Sequence, residues 1–197
     1  MCSIVTMTMY DPIAKDSTVT RTVRIDEAYD DVLRYEADRQ GVSVNTLVDR
    51  ILRRYSVSYR FFENLGALTI SPHTFSELLS VLEEEEIRAI ARSAGMERPK
   101  ELILKRGQPL TYENAVWYVT ELLGDNSGWF RTTYYEREEE DIIHLNHNQV
   151  VGWSIFLEEY IGAFFKEVIG VIPEAEVVGS SVTFTINKSK IRRDKMS

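Results

Sequence analysis

The sequence predicts an α+β chain in two parts. One strand and two short helices come first, and a longer half follows in which helices alternate with the strands of a small antiparallel sheet. Three observations predict it. Thr18 to Ile25 is rich in β-branched residues and alternates apolar with polar side chains. Two stretches flanking Gly41 repeat apolar residues at helical spacing. Beyond Gly66, helical and strand periods succeed each other with no internal repeat.

Residues 1–17 show no clear period and read as a flexible arm. In the first strand Val19, Val23 and Ile25 share one face, and Thr20, Thr22 and Arg24 share the other, with Arg21 breaking the apolar face. Asp26 is a candidate N-cap for a helix to Gln40, striped by Tyr29, Val32, Leu33 and Ala37. Gly41 suits the residue past a helix end. Ser43 can cap a second helix striped by Val44, Leu47, Val48, Ile51, Leu52 and Tyr55, with the spacing persisting to Leu65.

The second half, residues 65–187, reads in order as follows. Ala67 to Ile70 is a short strand, and Pro72–Leu82 and Glu83–Ala94 are helices. Tyr112–Leu123 is helical, and Trp129–Arg137 and Ile142–Leu145 form a hairpin. Asn148–Ile169 is a long amphipathic helix stopped by Gly170, and Val177–Ile186 is a final strand. Residues 188–197 form a basic tail.

The formal charge is −8, but it is unevenly placed. Residues 1–61 hold nine basic and nine acidic side chains, so the acidity belongs to the rest. A neutral segment can still bind DNA if its arginines share a face. Cys2 is the only cysteine, which excludes an intrachain disulfide and fits a reducing cytoplasm. No apolar run approaches the ~20 residues that span a bilayer, and Met1–Val5 lacks the basic start of a secretory signal. The expectation is a cytoplasmic chain without membrane association.

One strand and two helices in so few residues cannot bury a full core, and the strand has no partner in its own segment. Two copies meet both needs. Their strands pair antiparallel into a two-stranded ribbon, and their helices close a shared core. The ribbon then presents Thr20, Thr22 and Arg24 outward, in a shape that fits the DNA major groove.

Here Thr20-Arg21-Thr22-Val23-Arg24-Ile25, then Tyr29 and Leu33, then Gly41-Val42-Ser43-Val44-Asn45-Thr46 and Leu47, Val48 and Ile51, resemble the ribbon-helix-helix family of Arc, MetJ and CopG. The resemblance covers about a fifth of the chain, with the head set at residues 18–64. It implies an intertwined dimeric β-ribbon in which Thr20, Thr22 and Arg24 contact bases. It also implies that the backbone around Val44 and Asn45, beyond Ser43, holds a phosphate, a role that suits a helix N-terminus. Arg21 departs from the family's apolar residue and is placed on a phosphate instead. The segment from Ile143 through His147, Trp153–Leu157 and Val182–Phe184 is similar to a domain of uncharacterised archaeal proteins with no known activity.

His144 and His147 form an HxxH pair that can ligate a metal, but no third ligand stands nearby, and a polar loop is the plainer reading. Trp153, Phe156, Tyr160 and Phe164 share one helix face and read as core. No nucleophile–base pair or phosphate loop points to an enzyme, and no cofactor is expected. The functional expectation is a DNA-binding transcriptional repressor, a homodimer or higher oligomer whose second half oligomerises or senses an effector. The alternatives are an antitoxin whose second half masks a toxin, and an interaction module that keeps the fold without DNA.

Overall fold

A computed structural model describes residues 18–61 and 69–194. They fall into two compact units, divided near residues 67 and 68.

The first unit is two helices, α1 (Glu27–Gln40) and α2 (Val44–Arg54). Gly41 ends α1 in the left-handed region at φ 66°, a conformation that glycine adopts without strain. Ser43 caps α2 by accepting the backbone N–H of Thr46 at 3.1 Å. The helix then widens into a π-helical turn over Tyr55–Tyr59.

The expected ribbon-helix-helix head is not present. Residues 18–26 carry no strand, and the four-stranded sheet is built entirely from residues after 130. The physical reason is that alternation and β-branching favour a pleated conformation but supply no hydrogen-bonding partner, and a strand exists only in a ladder. Val19, Val23 and Ile25 are accordingly exposed.

The second unit is α+β. Helices α3 (Pro72–Ser80), α4 (Glu84–Lys105) and α5 (Tyr112–Trp117) come first, α5 running on as a nine-residue π-helix over Tyr118–Asn126. Strands β1 (Arg131–Glu136) and β2 (Glu140–Asn146) form a hairpin, followed by α6 (Val151–Ile169). A second hairpin, β3 (Glu174–Val178) and β4 (Ser181–Asn187), and the short α7 (Lys188–Asp194) complete it. All pairings are antiparallel, in the order β1-β2-β4-β3.

The sheet has two unlike faces. Asp141, Ile143 and Leu145 of β2 and Val182, Phe184 and Ile186 of β4 are buried, on the side against which α6 packs. The other face shows cross-strand rows such as Thr133–His144–Thr183–Glu176 and Tyr135–Ile142–Thr185–Glu174, none of it buried.

Helices α4 and α6 run parallel. Arg88 meets Glu158 at 2.9 Å, Arg92 meets Glu159 at 2.7 Å and Lys100 meets Glu167 at 2.7 Å, in the same order along both helices. Gly95 is what permits this closeness, since a Cβ there would collide with the backbone carbonyl of Tyr160. Phe75 of α3 meets Trp153 edge-on at 5.0 Å, and Trp153 and Phe156 stack at 4.8 Å, so the aromatic face of α6 is packing.

Several boundaries differ from expectation. The strand proposed for Ala67–Ile70 is absent at the described residues 69–70. The helix expected to stop at Ala94 continues through Pro99 to Lys105, because burial of Pro99, Leu102 and Ile103 outweighs the lost backbone bond. The single final strand is a hairpin that turns at Gly179, with φ 58°. The arm of residues 1–17 lies outside the described residues.

Candidate nucleic-acid interface

The residues singled out for DNA lie in the first unit. Thr20, Arg21, Thr22 and Arg24 sit in the segment before α1, and all four are exposed. Ser43 and Asn45 are exposed and Val44 half-exposed at the start of α2. Ser43 takes up the N–H of Thr46, while the N–H groups of Val44 and Asn45 lie in the first turn, beyond reach of the helix's own carbonyls. The N-terminal end of α2 thus combines a positive dipole end with outward N–H groups, which suits an anion. No acidic side chain stands in this first turn, whereas Arg53 and Arg54 close the last one.

The same unit is unusually apolar outside. Val19 is 73%, Val23 76% and Tyr29 65% exposed, and Val32, Ile51, Leu52 and Tyr55 also face solvent. Among the described residues its buried apolar side chains are Ala37, Leu47, Val57 and Phe61.

The histidines are placed apart in role. Nδ1 of His144, on the open sheet face, is 2.9 Å from Thr183 Oγ1. His147 is buried. Its Nδ1 accepts the N–H of Gln149 at 3.1 Å, so Nε2 carries the proton and donates to Ser154 Oγ at 2.8 Å. Ser154 in turn donates to the carbonyl of Gly179 at 2.7 Å, and burial holds the His147 imidazole below its ordinary pKa. With both nitrogens used, His147 is a structural link between α6 and the β3–β4 turn. Among the described residues no group of three or more His, Cys, Asp or Glu side chains could hold a metal.

A second polar centre was not anticipated. Asp141 is wholly buried at one end of β2, with Tyr112 Oη at 2.5 Å, Tyr134 Oη at 2.8 Å, the Arg137 N–H at 3.1 Å and Lys188 Nζ at 2.8 Å. Burial would push its carboxyl up, but the hydrogen bonds from Lys188, Tyr112, Tyr134 and Arg137 outweigh it and hold the carboxyl below the ordinary value. Both phenols are raised, by burial first and by Asp141 second. All four lone-pair positions of the carboxylate are engaged, so the centre binds α5, both strands of the first hairpin and α7 together and leaves no site for a substrate proton. Only the alternation placing Asp141 on the apolar face of β2 could have flagged it. A buried pair, Tyr118 Oη and Tyr160 Oη at 2.9 Å, joins α5 to α6 in the same way, and burial raises the Tyr160 phenol to about 12.

Among the described residues no helix is long and apolar enough to cross a membrane. No family model matches the chain, and no curated protein or solved structure matches it either.

Proposed function

We propose that the chain is a sequence-specific DNA-binding regulator, a cytoplasmic repressor that works as a homodimer or higher oligomer through its first unit. One observation carries the reading. The first unit leaves Val23, Tyr29, Val32, Ile51 and Leu52 in water, which a unit of this size does not sustain alone. A second copy, its helices laid against α1 and α2, covers that surface.

The exposed polar residues then supply the DNA contacts. Arg24 takes a guanine edge, and Thr20 and Thr22 contact neighbouring bases. Arg21, with Ser43 and the first-turn N–H groups of Val44 and Asn45, contacts phosphates. This placement needs only an accessible segment before α1, with no ladder between copies. The second unit oligomerises or receives an effector.

The test is selection of bound duplexes from random DNA, with the mass of the chain measured in parallel. A recovered consensus whose preference at one position vanishes with Arg24→Ala, together with a dimeric or larger mass, supports the reading. A chain that stays monomeric and recovers no consensus overturns it. An interaction module without DNA, favoured by the same apolar surface, then takes its place.

A further inference from the structure

The outward face of the four-stranded sheet has an ordered distribution of charge. An antiparallel sheet that faces water on one side alternates apolar side chains inward with polar ones outward. Here the two central strands present Asn146, His144 and Ile142, then Ser181, Thr183 and Thr185, with no lysine, arginine or carboxylate among them. At the turn end Glu140 is held by Arg137 at 3.2 Å. The remaining outward charges stand at opposite edges: Arg131 on β1, and on β3 Glu176 together with Glu174, which Lys190 meets at 3.4 Å. None of these side chains is buried.

We propose that this face is a contact between two copies of the chain. A two-fold axis parallel to the strands lays β1 of one copy over β3 of the other, because the rotation exchanges the two edges. The middle strands, uncharged except for Glu140 at the turn end, then meet each other. Arg131 of each copy faces the other's Val178–Glu176 end of β3, one row from Glu176 and within the reach of an arginine. The two sheets stack as aligned sheets do, about 10 Å apart. The match is made twice, once at each edge, and opposite charges rather than like charges oppose each other. Four strands of this length offer only a small face, so the contact is weak and concentration-dependent. It is made of residues other than those of the first unit and adds a doubling step to whatever assembly that unit makes.

Sedimentation equilibrium on the full chain, over a concentration series, tests it. The expected result is a doubling of mass as concentration rises, from whichever starting state the first unit sets. Arg131→Glu and Glu176→Arg each weaken that step by about tenfold or more, and the double variant restores it. A starting mass of one copy instead of two would count against the proposed role of the first unit and leaves this step readable. Absence of any doubling, single variants that associate like wild type, or a double variant no better than the singles overturns the proposal. So does oligothymidylate binding lost on Arg131→Glu without association between copies, which would assign Tyr135, His144 and Arg131 to stacking single-stranded nucleic acid.

Discussion

Lys188 Nζ stands 2.8 Å from Oδ1 of Asp141, and it also donates to the carbonyl of Arg137 at 2.7 Å. A side chain 47 positions away along the chain thus completes the shell of a carboxylate with no solvent exposure. Asp141→Asn keeps the shape but leaves donors from Tyr112, Tyr134 and Lys188 competing for a weaker acceptor. The expected loss is about 2–4 kcal/mol in denaturant unfolding, and a loss under ~0.5 kcal/mol would show that the shell is dispensable.

The same pair sets a pH dependence. The Asp141 carboxyl is lowered on folding, so its contribution is present above the ordinary value of 3.8 and is lost as pH falls through the still lower folded value. Lys188 is raised, mainly by its hydrogen bond to Asp141, so its contribution is present below 10.5 and is lost as pH rises through the folded value. Midpoints of thermal unfolding measured against pH should fall at both extremes, and the acid limb should be shallower in Asp141→Asn.

His147 adds a third limb. Its imidazole is lowered by burial, so the unfolded chain binds the proton more readily, and stability declines as pH drops below 6.5. His147→Gln should flatten the profile there while lowering stability at neutral pH by about 1–2 kcal/mol, since Ser154 and Gln149 lose a fitted partner. An unchanged slope between neutrality and the acid limb would contradict the lowering of the imidazole by burial.

Gly95→Ala forces a methyl group into the Tyr160 carbonyl. Two helices must part for it, at a cost of about 1–3 kcal/mol. The Tyr118–Tyr160 hydrogen bond lies beside the displaced segment, so tyrosine fluorescence should change along with the unfolding midpoint. A variant as stable as wild type would contradict the close approach of Gly95 to the Tyr160 backbone.

For DNA, Arg24→Ala is expected to cost about 1–3 kcal/mol at one base position, whereas Arg21→Ala should weaken all sequences alike and lower the salt slope by about one. Binding titrations over a salt series separate the two. Equal behaviour of both variants would remove the distinction between base and phosphate contacts.

What could be read from the sequence was local. Gly41, Ser43, Ser71 and Gly170 mark helix ends, and each does so through its own backbone or side-chain geometry. The alternation of β2 likewise reports a two-faced strand. What could not be read depends on partners far along the chain. The segment Thr18–Ile25 has strand-like residues but no ladder in its own chain. The π-helical turns at Tyr55 and Tyr118 have no compositional signature. Asp141 looks like part of an acidic turn until Tyr112 and Lys188 are brought to it. In the candidate interface, the cap at Ser43 and the surplus of apolar side chains on α1 and α2 were legible, while the absence of a strand before α1 became evident only in three dimensions.

The parallel course of α4 and α6 constrains how the chain acquires its shape. The ion pairs between these helices join residues 67 to 71 positions apart. Parallel neighbours cannot be joined by a tight loop, so the chain must travel back along the whole length of α4 before α6 begins. The β1–β2 hairpin lies within that return path. During synthesis, α4 therefore emerges with its apolar stripe uncovered and waits until α6 has left the ribosome. Long loop closure of this kind slows folding and lengthens the interval in which that stripe can meet a stranger.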